Sequence, residues 1–154
     1  MPQSLAQLWT HIIFSTKNRY PYLQDKDIRQ LMHHKIADIC GHKKCHVEIV
    51  GGVADHVHLL VNLHKNTCLA NFIEEIKTTT SRWIKTVDRS NFILTKFYWQ
   101  KGYGAFSVSQ SAVNNVASYI RLQESHHQKY SFQDEVRRFL QKYGIKYDER
   151  YLWD

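Results

Sequence analysis

A single α+β domain is what the 154-residue sequence predicts, on three observations. Runs with the two-residue period of strands and runs with the 3.6-residue period of helices follow one another in the order β-α-β-β-α-β, and further helical runs come after them. The chain is long enough to bury one core without disulfide staples, so residues 1–154 are expected to form one unit. Its composition, 43% hydrophobic and 23% charged with 6 Gly and 2 Pro, belongs to a folded chain rather than a low-complexity one. That element order is the ferredoxin-like split βαβ arrangement: an antiparallel sheet with two helices on one face and the other face left for a ligand or a further element.

Leu5 to Ser15 reads as the first strand, with Leu8, Ile12 and Phe14 alternating against Trp9, His11 and Ile13, and it ends at the polar turn Thr16-Lys17-Asn18-Arg19. From Asp25 to Ile39 the residues Ile28, Leu31, Met32, Ile36 and Ile39 recur at helical spacing, with Asp25 or Asp27 as the cap and Gly41 as the stop. Cys45 to Val50 and Val57 to Leu63 flank Gly51-Gly52-Val53-Ala54-Asp55 and should pair as a hairpin. On the second of these strands Val57, Leu59, Val61 and Leu63 face one way and His56, His58, Leu60 and Asn62 the other. Thr67 to Val87 is a second amphipathic helix, and the aromatic run Phe97 to Val108, broken by Gly102 and Gly104, a kinked or bulged fourth strand. Helices over Ser111 to Gln128 and Ser131 to Tyr143 complete the chain.

Lys and Arg total 21 against 14 Asp and Glu, a net charge of +7, so a polyanion is the first partner to consider and a merely solvated basic face the alternative. Lys17, Arg19, Lys43, Lys44, Lys77, Arg82 and Lys85 are the candidate phosphate contacts. Cys40, Cys45 and Cys68 are an odd number without paired spacing, and no signal-peptide pattern or apolar run of about 20 residues occurs, which leads us to expect a reducing cytoplasm.

Two histidines one residue apart on a strand project side by side, so His56 and His58 can offer imidazole nitrogens to one divalent ion. An isolated pair of this kind is more often structural, but here the opposite strand face is wholly apolar and places the pair on the uncovered side. Asp55 either fixes an imidazole tautomer or shapes the hairpin loop. Tyr119 and Gln123 lie one helical turn apart at the edge of an apolar stripe, where a tyrosine is usually a packing residue. A phenol beside a metal held by two imidazoles and one amide oxygen could nonetheless attack a phosphorus, given activation from its ordinary pKa of about 10. No general base is evident.

Asp55-His56-Val57-His58-Leu59-Leu60, Trp99-Gln100-Lys101-Gly102-Tyr103-Gly104-Ala105-Phe106-Ser107 and Tyr119-Ile120-Arg121-Leu122-Gln123 resemble, in order and spacing, the HUH-type single-tyrosine insertion-sequence transposases, including the repeat-associated tyrosine transposases. The resemblance runs from His11-Ile12-Ile13-Phe14-Ser15-Thr16-Lys17 to the C-terminal helix. It implies that Tyr119 is the nucleophile, that His56, His58 and Gln123 are metal ligands, and that Mg²⁺ or Mn²⁺ is the cofactor. It also implies cleavage and rejoining of single-stranded DNA beside hairpins, through a 5′-phosphotyrosine and a free 3′ hydroxyl. The partner is then a second copy whose tyrosine helix completes each site, with Gly102 and Gly104 giving that helix room to swing. Arg121-Leu122 departs from the acidic or amide residue common there in relatives.

Two other readings compete. A split βαβ sheet with net positive charge can be a non-catalytic nucleic-acid-binding module, although the aromatic-rich central strands of such modules are missing. Cys40, His42, Cys45 and His46 could hold zinc, but their spacing is unlike that of zinc knuckles. The pairs His33-His34 and His126-His127 read as surface residues, because helical neighbours diverge by about 100°.

Overall fold

In a computed structural model, which describes residues 1–153, four strands form one antiparallel sheet in the order β2-β3-β1-β4. The strands are β1 (Trp9–Ser15), β2 (His46–Gly52), β3 (His56–Asn62) and β4 (Gly104–Ser107), with helices α1 (Lys26–His42) and α2 (Leu69–Val87) between them. This is the split βαβ topology: β3 lies between the two strands that α1 connects, and β4 closes the far side of β1. Asp25 caps α1 by accepting from the N–H groups of Asp27 at 2.8 Å and Ile28 at 3.0 Å.

Strand parity divides the molecule. Ile12, Phe14, Val57, Leu59 and Val61 pack with Met32 and Ile36 of α1 and with Phe72, Ile73 and Ile76 of α2 in the main core. The other face is covered by α3 (Val113–Arg121), α4 (Gln123–His126) and α5 (Phe132–Lys142). Leu60 and Trp9 meet Val113, Ala117 and Ile120 there, and Ile13 and Phe106 meet Leu140. A short α6 (Glu149–Leu152), not expected from the sequence, is tied to α5 by the Arg137 guanidinium on Glu149 at 2.6 Å.

Three boundaries differ from expectation, each for a physical reason. β1 begins at Trp9 rather than Leu5, because residues 5–8 have no strand beside them and Leu5 and Leu8 are exposed. The fourth strand is only Gly104–Ser107. Ahead of it the chain bends around half-buried Lys77, whose ammonium donates to the carbonyls of Gln100 at 2.7 Å, Lys101 at 3.0 Å and Gly102 at 2.7 Å. Gly104 is itself paired with Ile13, so neither glycine sits at a free joint. The third helix bends at Leu122, where Leu122 N–H still donates to Ser118 O at 3.1 Å and His126 N–H to Leu122 O at 3.0 Å, leaving α3 and α4 as one bent rod.

That rod sits unusually close to the sheet. A Cβ added to Gly51 would lie 2.7 Å from Ile120 Cγ2 and 2.9 Å from its carbonyl oxygen, so only glycine admits α3 at this distance. Among the described residues no helix is long and apolar enough to cross a membrane.

Candidate metal and nucleophile site

β3 delivers His56 and His58 to the face under α3–α5, where both are fully buried. Asp55, just before the strand, accepts from His56 Nδ1–H at 2.7 Å. Gln123, only 1% exposed, brings its Oε1 to 3.3 Å from His56 Nε2. Across the bend at Leu122, Tyr119 reaches the same spot, its ring centroid 5.9 Å from that of His58. All four residues of the expected catalytic set therefore meet within one chain.

At their centre stands Glu135 of α5, 1% exposed and not expected from the sequence. Its Oε1 lies 2.9 Å from His58 Nε2 and 3.5 Å from His56 Nε2. Its Oε2 accepts from the Tyr119 hydroxyl, from Gln123 Nε2 at 3.3 Å and from His127 Nε2 at 3.2 Å. A buried carboxylate is costly unless paired, and here five groups pair it. His11 of β1 extends the network, with its Nε2 2.8 Å from His58 Nδ1.

These contacts set the protonation pattern. Burial lowers the pKa of His56, but Asp55 and Glu135 outweigh it and raise it to about 8, because both imidazole nitrogens face acceptors. Burial drives His58 down to about 4 and His11 to about 3, so the two exchange one hydrogen bond as neutral rings. For Glu135 burial acts upward, yet hydrogen bonds from His127, His56 and His58 hold the carboxyl far below the usual carboxylate range. Burial and the facing Glu135 carboxylate push the Tyr119 phenol well above its ordinary value.

The donor set suits a divalent ion. One ligand atom each from His56, His58, His127 and Glu135 lies within 4.8 Å of the others, near the spread that bonds of about 2.0–2.2 Å allow. Three imidazoles with one carboxylate fit a transition ion such as Mn²⁺ better than Mg²⁺, which prefers oxygen.

His126 and His127 are thus not both surface residues: the chain turns at the end of α4, so that His127 faces Glu135 while His126 packs its ring 5.0 Å from Tyr119. For Glu135 a sequence signal existed. It falls among Phe132, Val136, Phe139, Leu140 and Tyr143 on the apolar stripe of α5, where an unpaired carboxylate has no reason to be.

The expected phosphate contacts lie elsewhere. Lys17 is exposed and Arg19 half-buried on a turn after β1. Lys43 is paired with Glu75, and Lys44 is exposed. Lys77 uses its donors on backbone carbonyls, and burial lowers it to about 8. Arg82 and Lys85 line a groove between α2 and residues 98–103, with Lys85 Nζ 3.9 Å from the centre of the Tyr98 ring. Cys40 and Cys45 are core residues, with the Cys40 thiol pushed by burial to about 12, while His42 and His46 are exposed, an arrangement unlike a zinc centre.

Residues 4–123 match the family described as Transposase IS200 like. No curated protein matches. Among solved structures, a candidate transposase from Deinococcus radiodurans R1 is 20% identical, with a TM-score of 0.62 over 78% of this chain and 93% of that one. A REP-associated tyrosine transposase bound to a REP hairpin is 14% identical, with a TM-score of 0.60 over 81% of this chain and 72% of that one. At such identities the likeness is one of fold.

Proposed function

Since the chain belongs to the IS200-like transposase family, we propose that it cleaves and rejoins single-stranded DNA at hairpin-flanked element ends through a covalent phosphotyrosine on Tyr119. One observation carries this reading: Tyr119, His56, His58 and Gln123, drawn from β3 and the α3–α4 rod, converge on a single buried spot.

Tyr119 supplies the oxygen that attacks phosphorus. Tyr119 gives up its phenol proton to water as the Oη–P bond forms, the P–O3′ bond breaks, and the 3′ oxygen leaves with the electron pair and takes a proton from water. Reversal by another 3′ hydroxyl rejoins the strand, because the phosphotyrosine conserves the bond. His56, His58 and Gln123 would hold Mg²⁺ or Mn²⁺, with Glu135 and His127 within reach; when bound, such an ion offsets charge on the scissile phosphate. Asp55 keeps the His56 ring turned toward the site. His11 does the same for His58.

Hairpin DNA is the expected ligand, supported by the net charge of +7 and by exposed Lys17 and Arg82 with half-buried Arg19 and Lys85. A homodimer belongs to the same reading. Because one chain already sets Tyr119 beside its own histidines, completion by a partner's helix requires α3–α5 to exchange. Mixing Tyr119→Phe with His56→Ala protein tests this: exchange restores cleavage, and a site confined to one chain leaves the mixture inactive. A repeat-hairpin processing enzyme is the second reading, favoured by the fold likeness to a hairpin-bound REP-associated enzyme.

The decisive measurement is denaturing electrophoresis of the protein with Mn²⁺ and labelled single-stranded hairpin DNA. The expected result is a protein-DNA adduct that Tyr119→Phe abolishes while hairpin binding persists. An adduct formed equally by Tyr119→Phe would end the proposal.

A further inference from the structure

A cavity of about 380 Å³ opens between α3 and α5 beside Tyr119. Buried Glu135 lies at its floor, Val116 and Phe139 form an apolar wall, and exposed Asn115, Arg138 and Lys142 stand at the mouth. Arg138 and Lys142 are one turn apart on the same side of α5. The Arg138 guanidinium is braced on the Tyr130 ring at 3.8 Å.

We propose that this cavity seats one unstacked nucleotide of the DNA strand, the one next to the phosphate that Tyr119 attacks. The inference rests on the nuclease reading. A phosphate reaching the Tyr119 oxygen must come with its neighbouring nucleoside, and this cavity adjoins that oxygen. Its volume is in the range of small-ligand sites, and it takes a base only after the base has left its stack. Charge fixes the orientation. Arg138 and Lys142 hold the nucleotide's other phosphate at the mouth, away from Glu135, and its base enters against Val116 and Phe139. Asn115 offers an amide that can both donate to and accept from a base edge.

The seat is shared between α3 and α5. The family match ends at residue 123, whereas Glu135, Arg138, Phe139 and Lys142 all lie beyond it on α5. Nucleotide preference next to the cut is therefore assigned to Asn115 of α3 and to the α5 side chains together.

The test uses the full chain in chelator, so that no cleavage occurs, and a short single-stranded oligothymidylate carrying one iododeoxyuridine. After irradiation, the adduct should map to residues 138–143. Thymidine monophosphate should compete with it, and duplex of the same length should not. Asn115→Trp, which fills the mouth from an exposed position, and Lys142→Glu should each lower the yield at least about fivefold, the loss expected when one contact of ~1–3 kcal/mol is removed, with unchanged melting temperature. Adducts confined to the Tyr98 groove, full yield in Asn115→Trp, or competition by duplex but not by the mononucleotide would each overturn the seat. A free mononucleotide that binds while the oligonucleotide does not would show a metabolite site and also overturn it. Crosslinking is read without cleavage, so a seat that survives beside a chain forming no Tyr119 adduct separates the two claims.

Discussion

The two faces of the sheet are built from the same strands and obey different rules. Under α1 and α2, β3 contributes Val57, Leu59 and Val61 to a core built mainly of apolar side chains. Under α3–α5 the alternate residues of that strand, His56 and His58, are just as deeply buried but are paired with Asp55, Gln123, Glu135 and His11. The first face gains from water exclusion alone. The second tolerates burial only because each polar atom has a partner, and some of those partners arrive from distant parts of the chain. One side is held by apolar packing, the other by paired polar groups.

Substitutions on either side should separate these roles. The largest effect is expected from His56→Ala or His58→Ala: Mn²⁺ affinity, read by calorimetry, should fall more than about 100-fold, the upper end for partners that only support a ligand, while the fold persists. Retained affinity in both variants would make the cluster a structural network. Leu59→Ala, one residue away on the dry face, should leave metal affinity alone and cost about 2–5 kcal/mol in urea unfolding. Equal loss of metal affinity would dissolve the distinction between the faces. Glu135→Gln keeps the shape and removes the charge, and metal affinity should fall about 10–100-fold; no change would place Glu135 outside the coordination sphere.

The smallest effect concerns pH. His33 lies on α1, and burial, then Arg29 and His34, lower its pKa from 6.5 to about 4. Its folded value lies below its unfolded one, so the unfolded chain takes the proton first as pH falls. The stability contributed by neutral His33 is complete above pH 6.5 and is lost progressively toward pH 4. His33→Leu should therefore show a shallower decline in urea midpoint across that window, and an unchanged slope would assign the acid sensitivity elsewhere.

The dry face was legible in the sequence, since alternation on β3 and helical spacing on α1 and α2 are local patterns that tertiary structure preserved. So was half of the site, because His56 and His58 share a strand and Tyr119 and Gln123 a helical turn. Glu135, His127 and His11 were not. Glu135 left only the trace of a carboxylate on the apolar stripe of α5, and its place at the site, like that of His11 on β1, comes from packing against β3 that has no local period; His127 enters from the turn closing α4, where adjacent His126 and His127 gave no sign of which would turn inward. The shortening of the fourth strand escaped notice for a similar reason: Lys77, expected to meet phosphate, is spent on three carbonyls from a segment more than 20 residues away.

Gly51 sets how accurately the Tyr119 phenol is held over the histidines. Because α3 rests with Ile120 against bare backbone, the height of the phenol above the imidazoles is inherited from the rigid sheet, and thermal wandering of the tyrosine is limited by strand stiffness rather than by its own side chain. A tyrosine helix delivered from a second copy would have to seat on that same bare patch. One added methyl group at residue 51 should thus detune the chemistry of either arrangement without touching a single reacting atom.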